Sequence, residues 1–272
     1  MARATKNVDA VAGFVRRMAD IDRSKGRGEV FRDFCEMAYC AIAKTTTGAQ
    51  DRREALEAQY MSVVARYRNK DDVRVMPELF ATATLALSTG GCDFFGSVAG
   101  ELGVLDSNLG QFFTPYELSR LNAEMILGDS VKVIEENGFL TLCEPAAGAG
   151  GMVIAAADVL ESKDLDPAEQ LWVEAVELSR STFHMCYVQI ALRGVAGLVI
   201  HGNSLSLEVF ERALTPAARL FLARHGDPFA KQKALAAQEA EAEVVAASAR
   251  VARLNASPLS GAVVGRQLSL FD

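Results

Sequence analysis

Proline is scarce in this chain: seven residues in 272, no two of them adjacent, which excludes polyproline segments. Cysteine is also sparse. The five present (Cys35, Cys40, Cys92, Cys143, Cys186) form no CxxC pair and are odd in number, which argues against a disulfide framework or a zinc ribbon and fits reduced, mostly buried thiols in a cytoplasmic protein. Three histidines (His184, His201, His225) show neither metal-ligand spacing nor a nucleophile triad, so no metal is expected. No apolar run approaches transmembrane length, and charged residues interrupt the opening segment, so neither a membrane partner nor a secretory signal is expected. A net charge of −7 argues against a protein that coats DNA nonspecifically.

Hydrophobic residues are plentiful, at 50% of the chain, enough for a sizeable core in one large or two small domains. The charge is unevenly spread. Residues 1–74 carry 15 Lys/Arg against 11 Asp/Glu, while the remainder carries 13 against 24. The basic segment could meet phosphates or an acidic partner, or simply solvate helix faces.

The first 105 residues read as helical. Val8, Val11, Val15 and Met18 recur at helical spacing, as do Phe31, Phe34, Cys35, Ala38 and Ile42, then Leu56, Tyr60, Val63, Val64 and Tyr67. Pro77 starts a further helix through Leu79, Phe80, Leu85 and Leu87, which Gly90-Gly91 ends. Between residues 106 and 229 strands alternate with helices. Phe139–Cys143 leads into the turn Glu144-Pro145-Ala146-Ala147-Gly148-Ala149-Gly150-Gly151, followed by a helix at Met152–Leu160. Leu171–Glu177 is a second strand with a helix after it, and Gly197–Ile200 a third that runs into His201-Gly202-Asn203-Ser204-Leu205. This alternation predicts a parallel, doubly wound sheet with a ligand crevice at the strands' carboxyl ends. The glycines let backbone approach a ligand; Glu177 is placed to accept ribose hydroxyls, and Asn203 to bond an adenine edge. Just upstream, Thr114 reads as an N-cap, Pro115 as the first helical turn and Glu117 as the end of a capping box.

Gly110-Gln111-Phe112-Phe113-Thr114-Pro115 and Glu144-Pro145-Ala146-Ala147-Gly148-Ala149-Gly150 resemble, residue for residue, two motifs of the N6-adenine DNA methyltransferases, especially the modification subunits of type I restriction systems. In that family the two stretches flank the methionine part of S-adenosylmethionine. The resemblance implies a helical N-terminal region (1–105), a partial Rossmann-like methyltransferase sheet binding S-adenosylmethionine (106–229), and a C-terminal helix with a flexible tail (230–272). It also implies a cofactor pocket of Gln111, Phe112, Phe113, Thr114, Pro115, Glu144, Pro145, Ala146, Gly148, Gly150, Glu177 and Asn203, and DNA as substrate. Gly202-Asn203-Ser204-Leu205 departs from the family's usual Gly-Asp-Ser-Leu, yet Asn keeps a carbonyl acceptor.

The catalytic signature of that family, Asn/Asp/Ser-Pro-Pro-Tyr/Phe, is not intact. Its polar group and a backbone carbonyl take the amine hydrogens, and its aromatic ring stacks on the flipped base. The nearest counterpart is Asp227-Pro228-Phe229, one proline short, after an apolar run at Arg219–Ala223 that reads as a short strand. It is either a degenerate catalytic element or a plain turn. Only 43 residues follow Phe229, and none read as the strands that would complete the target-base side, so a partner protein could supply them. Two functions from different classes are therefore expected: an adenine-specific DNA methyltransferase or impaired derivative, and a noncatalytic binding protein on the same fold. For the second, the closing Gln267-Leu268-Ser269-Leu270-Phe271 resembles the peptide by which bacterial replication and repair proteins bind the sliding clamp. Leu270 and Phe271 would fill a hydrophobic pocket, with Gln267 fixing orientation and Leu268 between them.

Overall fold

The computed structural model describes residues 2–104 and 114–256, the side chains of 2–7 and 249–256 excepted. Gln111, Phe112 and Phe113, like Gln267, Leu268, Leu270 and Phe271, lie outside the described residues. Contacts divide the chain into two units, residues 1–226 and 227–272.

The first unit opens with helices α1 (Ala2–Met18), α2 (Arg27–Thr46), α3 (Gln50–Ala65), a short α4 (Lys70–Arg74), α5 (Met76–Ser88) and α6 (Phe94–Leu102). The stripes read from the sequence face inward with two exceptions, Val8 and Leu85, which are exposed. Phe14 is the hub of their core: its ring meets Phe34 and Phe94 edge-on, at centroid distances of 5.3 and 5.4 Å, and Phe31 beyond them. Such pairs add about 0.5–1.5 kcal/mol each beyond the area they bury.

Helices α7 (Tyr116–Ile126) and α8 (Ser130–Asn137) precede strand β1 (Leu140–Glu144), α9 (Gly151–Glu161), α10 (Pro167–Gln170), β2 (Leu171–Glu177), α11 (Arg180–Leu192), β3 (Ala196–Asn203), β4 (Glu208–Leu214) and α12 (Pro216–His225). The sheet order is β1-β2-β3-β4. The first three strands are parallel, as the alternation predicts, but β4 runs antiparallel to β3, so the sheet is mixed. Its hairpin begins at Gly202, where a β-carbon would lie 2.5 Å from the Glu208 carbonyl oxygen.

The run Arg219–Ala223 is helical, part of α12, and the strand expected there is corrected. Thr215-Pro216 places proline at the first helical position, where its missing N–H costs nothing. Burial at Ala218 and Phe221 with Leu220 exposed follows helical rather than alternating spacing. Phe221 meets Phe139 and Trp172 at 5.1 and 5.3 Å.

The N-terminal helices and the sheet share one hydrophobic core. Tyr39 of α2 packs on Phe183, His184 and Tyr187 of α11, and α11 in turn covers β2 and β3. Val173 of β2 and Gly197 of β3 are register partners, and a β-carbon at Gly197 would sit 2.4 Å from the Val173 carbonyl oxygen. Gly197→Ala is therefore expected to lower stability by about 1–3 kcal/mol, as overpacking does, read as a lower urea midpoint with unchanged slope. An unchanged midpoint would show that the two strands part freely.

In the second unit α13 (Ala230–Ala256) is a long helix with Leu235, Val244 and Val245 exposed. All five cysteines are free; Cys35, Cys40 and Cys186 are buried, Cys92 partly so, and Cys143 exposed. Among the described residues no helix is long and apolar enough to cross a membrane.

Candidate cofactor site

Strand β1 delivers Glu144 to its carboxyl end, and the chain then turns through Pro145 and Ala146 into α9. Gly148 and Gly150 have φ of +56° and +94°, a backbone region that costs side-chain-bearing residues but not glycine. Three bonds shape the turn: Ala146 N–H to Glu144 Oε1 (3.2 Å), Ala147 N–H to the Val176 carbonyl (2.9 Å) and Gly150 N–H to the Ala147 carbonyl (2.8 Å). The turn thus leans on β2 and ends at the N-terminus of α9, whose unsatisfied N–H groups favour negative charge.

Glu177 closes β2 and reaches across to this turn. Its Oε2 accepts from Gly148 N–H at 3.0 Å and its Oε1 from Ser179 N–H at 2.8 Å. Burial pushes the Glu177 carboxyl above its ordinary range, and the N–H groups of Ser179, Gly148 and Leu178 oppose that shift. Each oxygen keeps a further lone pair after these bonds. A carboxylate fixed in this way can still accept from vicinal hydroxyls, so its acceptor oxygens suit a ribose.

Asn203 closes β3, but its side chain is used differently from the expectation. Oδ1 accepts from Leu205 N–H (2.9 Å) and Ser206 N–H (3.2 Å), forming a local turn of the kind Asn favours. The carbonyl oxygen that would meet an adenine amino group is engaged by backbone.

Thr114 and Pro115 are exposed. The helix starts later than the capping-box reading places it: Pro115 occupies the N-cap without a side-chain cap bond, its carbonyl accepting from Leu118 and Ser119 N–H groups at 3.0 Å. What secures α7 is Tyr116, absent from the sequence reading. Its hydroxyl donates to Asp158 Oδ2 on α9, and α7 packs along α9. The helix opened after Thr114-Pro115 is thereby fastened to the helix that grows out of the glycine turn. Asp158 also accepts from Gly91 N–H (2.7 Å) and from Arg193 Nη2 (2.8 Å), which is buried with it. Local periodicity carries no signal for Asp158 and Arg193, because their partners are distant in the chain.

Glu144, Gly148, Glu177 and Asn203 line none of five well-formed cavities of 210–460 Å³ among the described residues. One of 460 Å³ reaches Pro115, Tyr116 and Glu117 from the side of α1 and Cys92. Asp227 belongs to the second unit, where its Oδ1 accepts from Phe229 N–H (2.9 Å) and its Oδ2 from Lys233 Nζ (2.6 Å). Lys233 first, then that N–H, hold its carboxyl below the usual range. Together with Pro228 and Phe229 it forms the entry to α13.

A parallel strand, a glycine turn, a helix and an acid at the end of the next strand define a Rossmann-like α/β cofactor fold. Over residues 103–235, just under half of its length, the chain matches the model of the N-6 DNA Methylase family. Two solved structures are similar in fold. One is a putative class I S-adenosylmethionine-dependent methyltransferase from Listeria monocytogenes, at 13% identity and a TM-score of 0.39, covering 77% of this chain and 56% of that one. The other is the methyltransferase subunit of a type I restriction-modification system from Streptococcus thermophilus, at 12% identity and a TM-score of 0.36, covering 75% and 59%. The chain thus spans less than three fifths of the length of either. No curated protein matches it.

Proposed function

We propose that this chain binds S-adenosylmethionine and forms the cofactor-holding part of an adenine-N6 DNA methyltransferase of the restriction-modification kind, with DNA as substrate. The observation that carries this reading is the Glu177 carboxylate bridging the glycine turn at Gly148 and the backbone of Ser179. When bound, the cofactor supplies an electrophilic methyl group. Glu177 would hold its ribose, the α9 N-terminus would face its carboxylate, and Thr114-Pro115 would border its methionine end. A protein that completes the target-base pocket is a further proposed partner.

A second reading has its own support. Asp227 is committed to Phe229 N–H and Lys233 at the start of α13, and the run before it is helical. Both features favour a noncatalytic methyltransferase-like scaffold, recruited to replicating DNA through a clamp-binding peptide at Gln267, Leu268, Leu270 and Phe271. Tritium transfer from labelled cofactor to unmethylated duplex DNA separates the two. Label recovered as N6-methyladenine supports the enzyme; saturable cofactor binding with no label in DNA moves the conclusion to the scaffold.

A further inference from the structure

We propose that Gln189 and Asp93 are positioning residues that brace the glycine turn from beneath, tying it to the helix that leads towards Thr114-Pro115. The proposal rests on the cofactor reading for its functional consequence but on geometry alone for the brace.

Gln189 lies on α11 and is fully buried. Its Nε2 donates to Asp93 Oδ1 at 2.8 Å and to the Ala149 carbonyl at 2.8 Å, while its Oε1 accepts from Phe95 N–H at 2.7 Å. Both neighbours of the nitrogen are pure acceptors and the neighbour of the oxygen is a donor, so only one orientation of the amide satisfies the site. One side chain therefore joins three elements: α11, the start of α6 and the cofactor turn.

Asp93 completes the joint. Its Oδ1 also accepts from Gly96 N–H at 2.9 Å, capping α6. Its Oδ2 faces the first residue of α9, where a β-carbon on Gly151 would lie 2.6 Å away; one on Gly96 would lie 2.0 Å away. The buried carboxylate thus dictates glycine at both positions. Burial pushes the Asp93 carboxyl upward, and the bonds from Gln189 and Gly96 oppose this. A buried charge of this kind is costly to keep, and apolar substitutes often serve stability as well or better. Its use here is geometric: the turn is gripped from two sides, Gly148 N–H by Glu177 and the Ala149 carbonyl by Gln189.

The brace predicts a local defect. In Gln189→Leu, amide deuterium exchange in residues 145–151 should accelerate without cofactor, while exchange in α2 stays as in the parent. Affinity for S-adenosylmethionine should fall roughly tenfold, as expected for loss of the one of Gln189's three hydrogen bonds that holds the turn. Asp93→Asn keeps the Oδ1 acceptor and should stay near parental in both respects. Gln189→Glu adds a readout that simple destabilisation would not give: ionised, it can donate to neither partner, and protonation restores one donor. Its exchange defect relative to the parent at the same pH should therefore shrink as pH falls. If Gln189→Leu fails to fold, the pH response of Gln189→Glu decides the matter. Parental exchange at 145–151 in a folded Gln189→Leu, or a pH-independent defect in Gln189→Glu, would overturn the brace. A parent that binds no cofactor while the exchange defect appears would instead remove the cofactor reading and leave the brace standing.

Discussion

Gly148→Asp should abolish calorimetrically detectable binding of S-adenosylmethionine, with a loss of roughly 100-fold or more expected from charge and shape together. Backbone strain is the smaller part, because Asp tolerates the left-handed region better than most residues and Gly148 sits at φ +56°. The larger part is electrostatic. Gly148 N–H bonds Glu177 Oε2 at 3.0 Å, so a new carboxylate at residue 148 would stand within a few ångströms of one that burial already holds above its usual pKa. Repulsion at effective dielectric constants near 20 amounts to a few kcal/mol. It would be relieved by protonating Glu177, which weakens it as a ribose acceptor, or by moving it off the turn, which removes that acceptor. Gly148→Ala separates the causes: it adds the strain without the charge and should cost roughly tenfold. Equal heats for parent and Gly148→Asp, both folded by thermal melt, would remove this turn from the binding site.

Deleting residues 267–272 should eliminate retention of the full chain on an immobilised bacterial sliding clamp. Fully burying side chains such as Leu270 and Phe271 contributes about 1.5–3 kcal/mol each, and a short peptide whose affinity rests on two anchors has little left once both are gone. The double substitution Leu270→Ala, Phe271→Ala should reproduce the deletion, whereas Ser269→Ala should bind as the parent does. Cofactor binding should be the same in all of these variants, which makes the clamp result independent of the site on β1 and β2. Retention unchanged by the deletion would end the recruitment role.

Much of the α/β order was legible because Leu140–Cys143, Leu171–Glu177 and Gly197–Ile200 are short apolar runs bounded by turn residues and separated by helical stretches. Glu144, Gly148 and Glu177 stood out because each falls at the carboxyl end of such a strand or in the turn after it. Arg219–Ala223 was not legible as a helix from its apolar run alone, since five residues fit either period; the proline at 216 held the deciding signal. Strand β4 escaped notice because Glu208–Leu214 is largely exposed along its first half, so alternation is weak. The N-cap at Thr114 gave way to Pro115, whose own carbonyl takes the first helical bonds. The joints that hold the site are long-range and leave no periodic trace: Tyr116 with Asp158, and Gln189 with Asp93, 96 residues apart.

The ring contacts between Tyr39 and the α11 residues Phe183, His184 and Tyr187 carry a consequence for engineering. A breakpoint drawn at the edge of the methylase match would remove Tyr39 and leave Phe183 and Tyr187 of α11 without their ring partner on that side. Because the helices ahead of the match share one core with the sheet, a fragment trimmed to residues 103–235 is expected to expose apolar surface and to be less stable than the full chain.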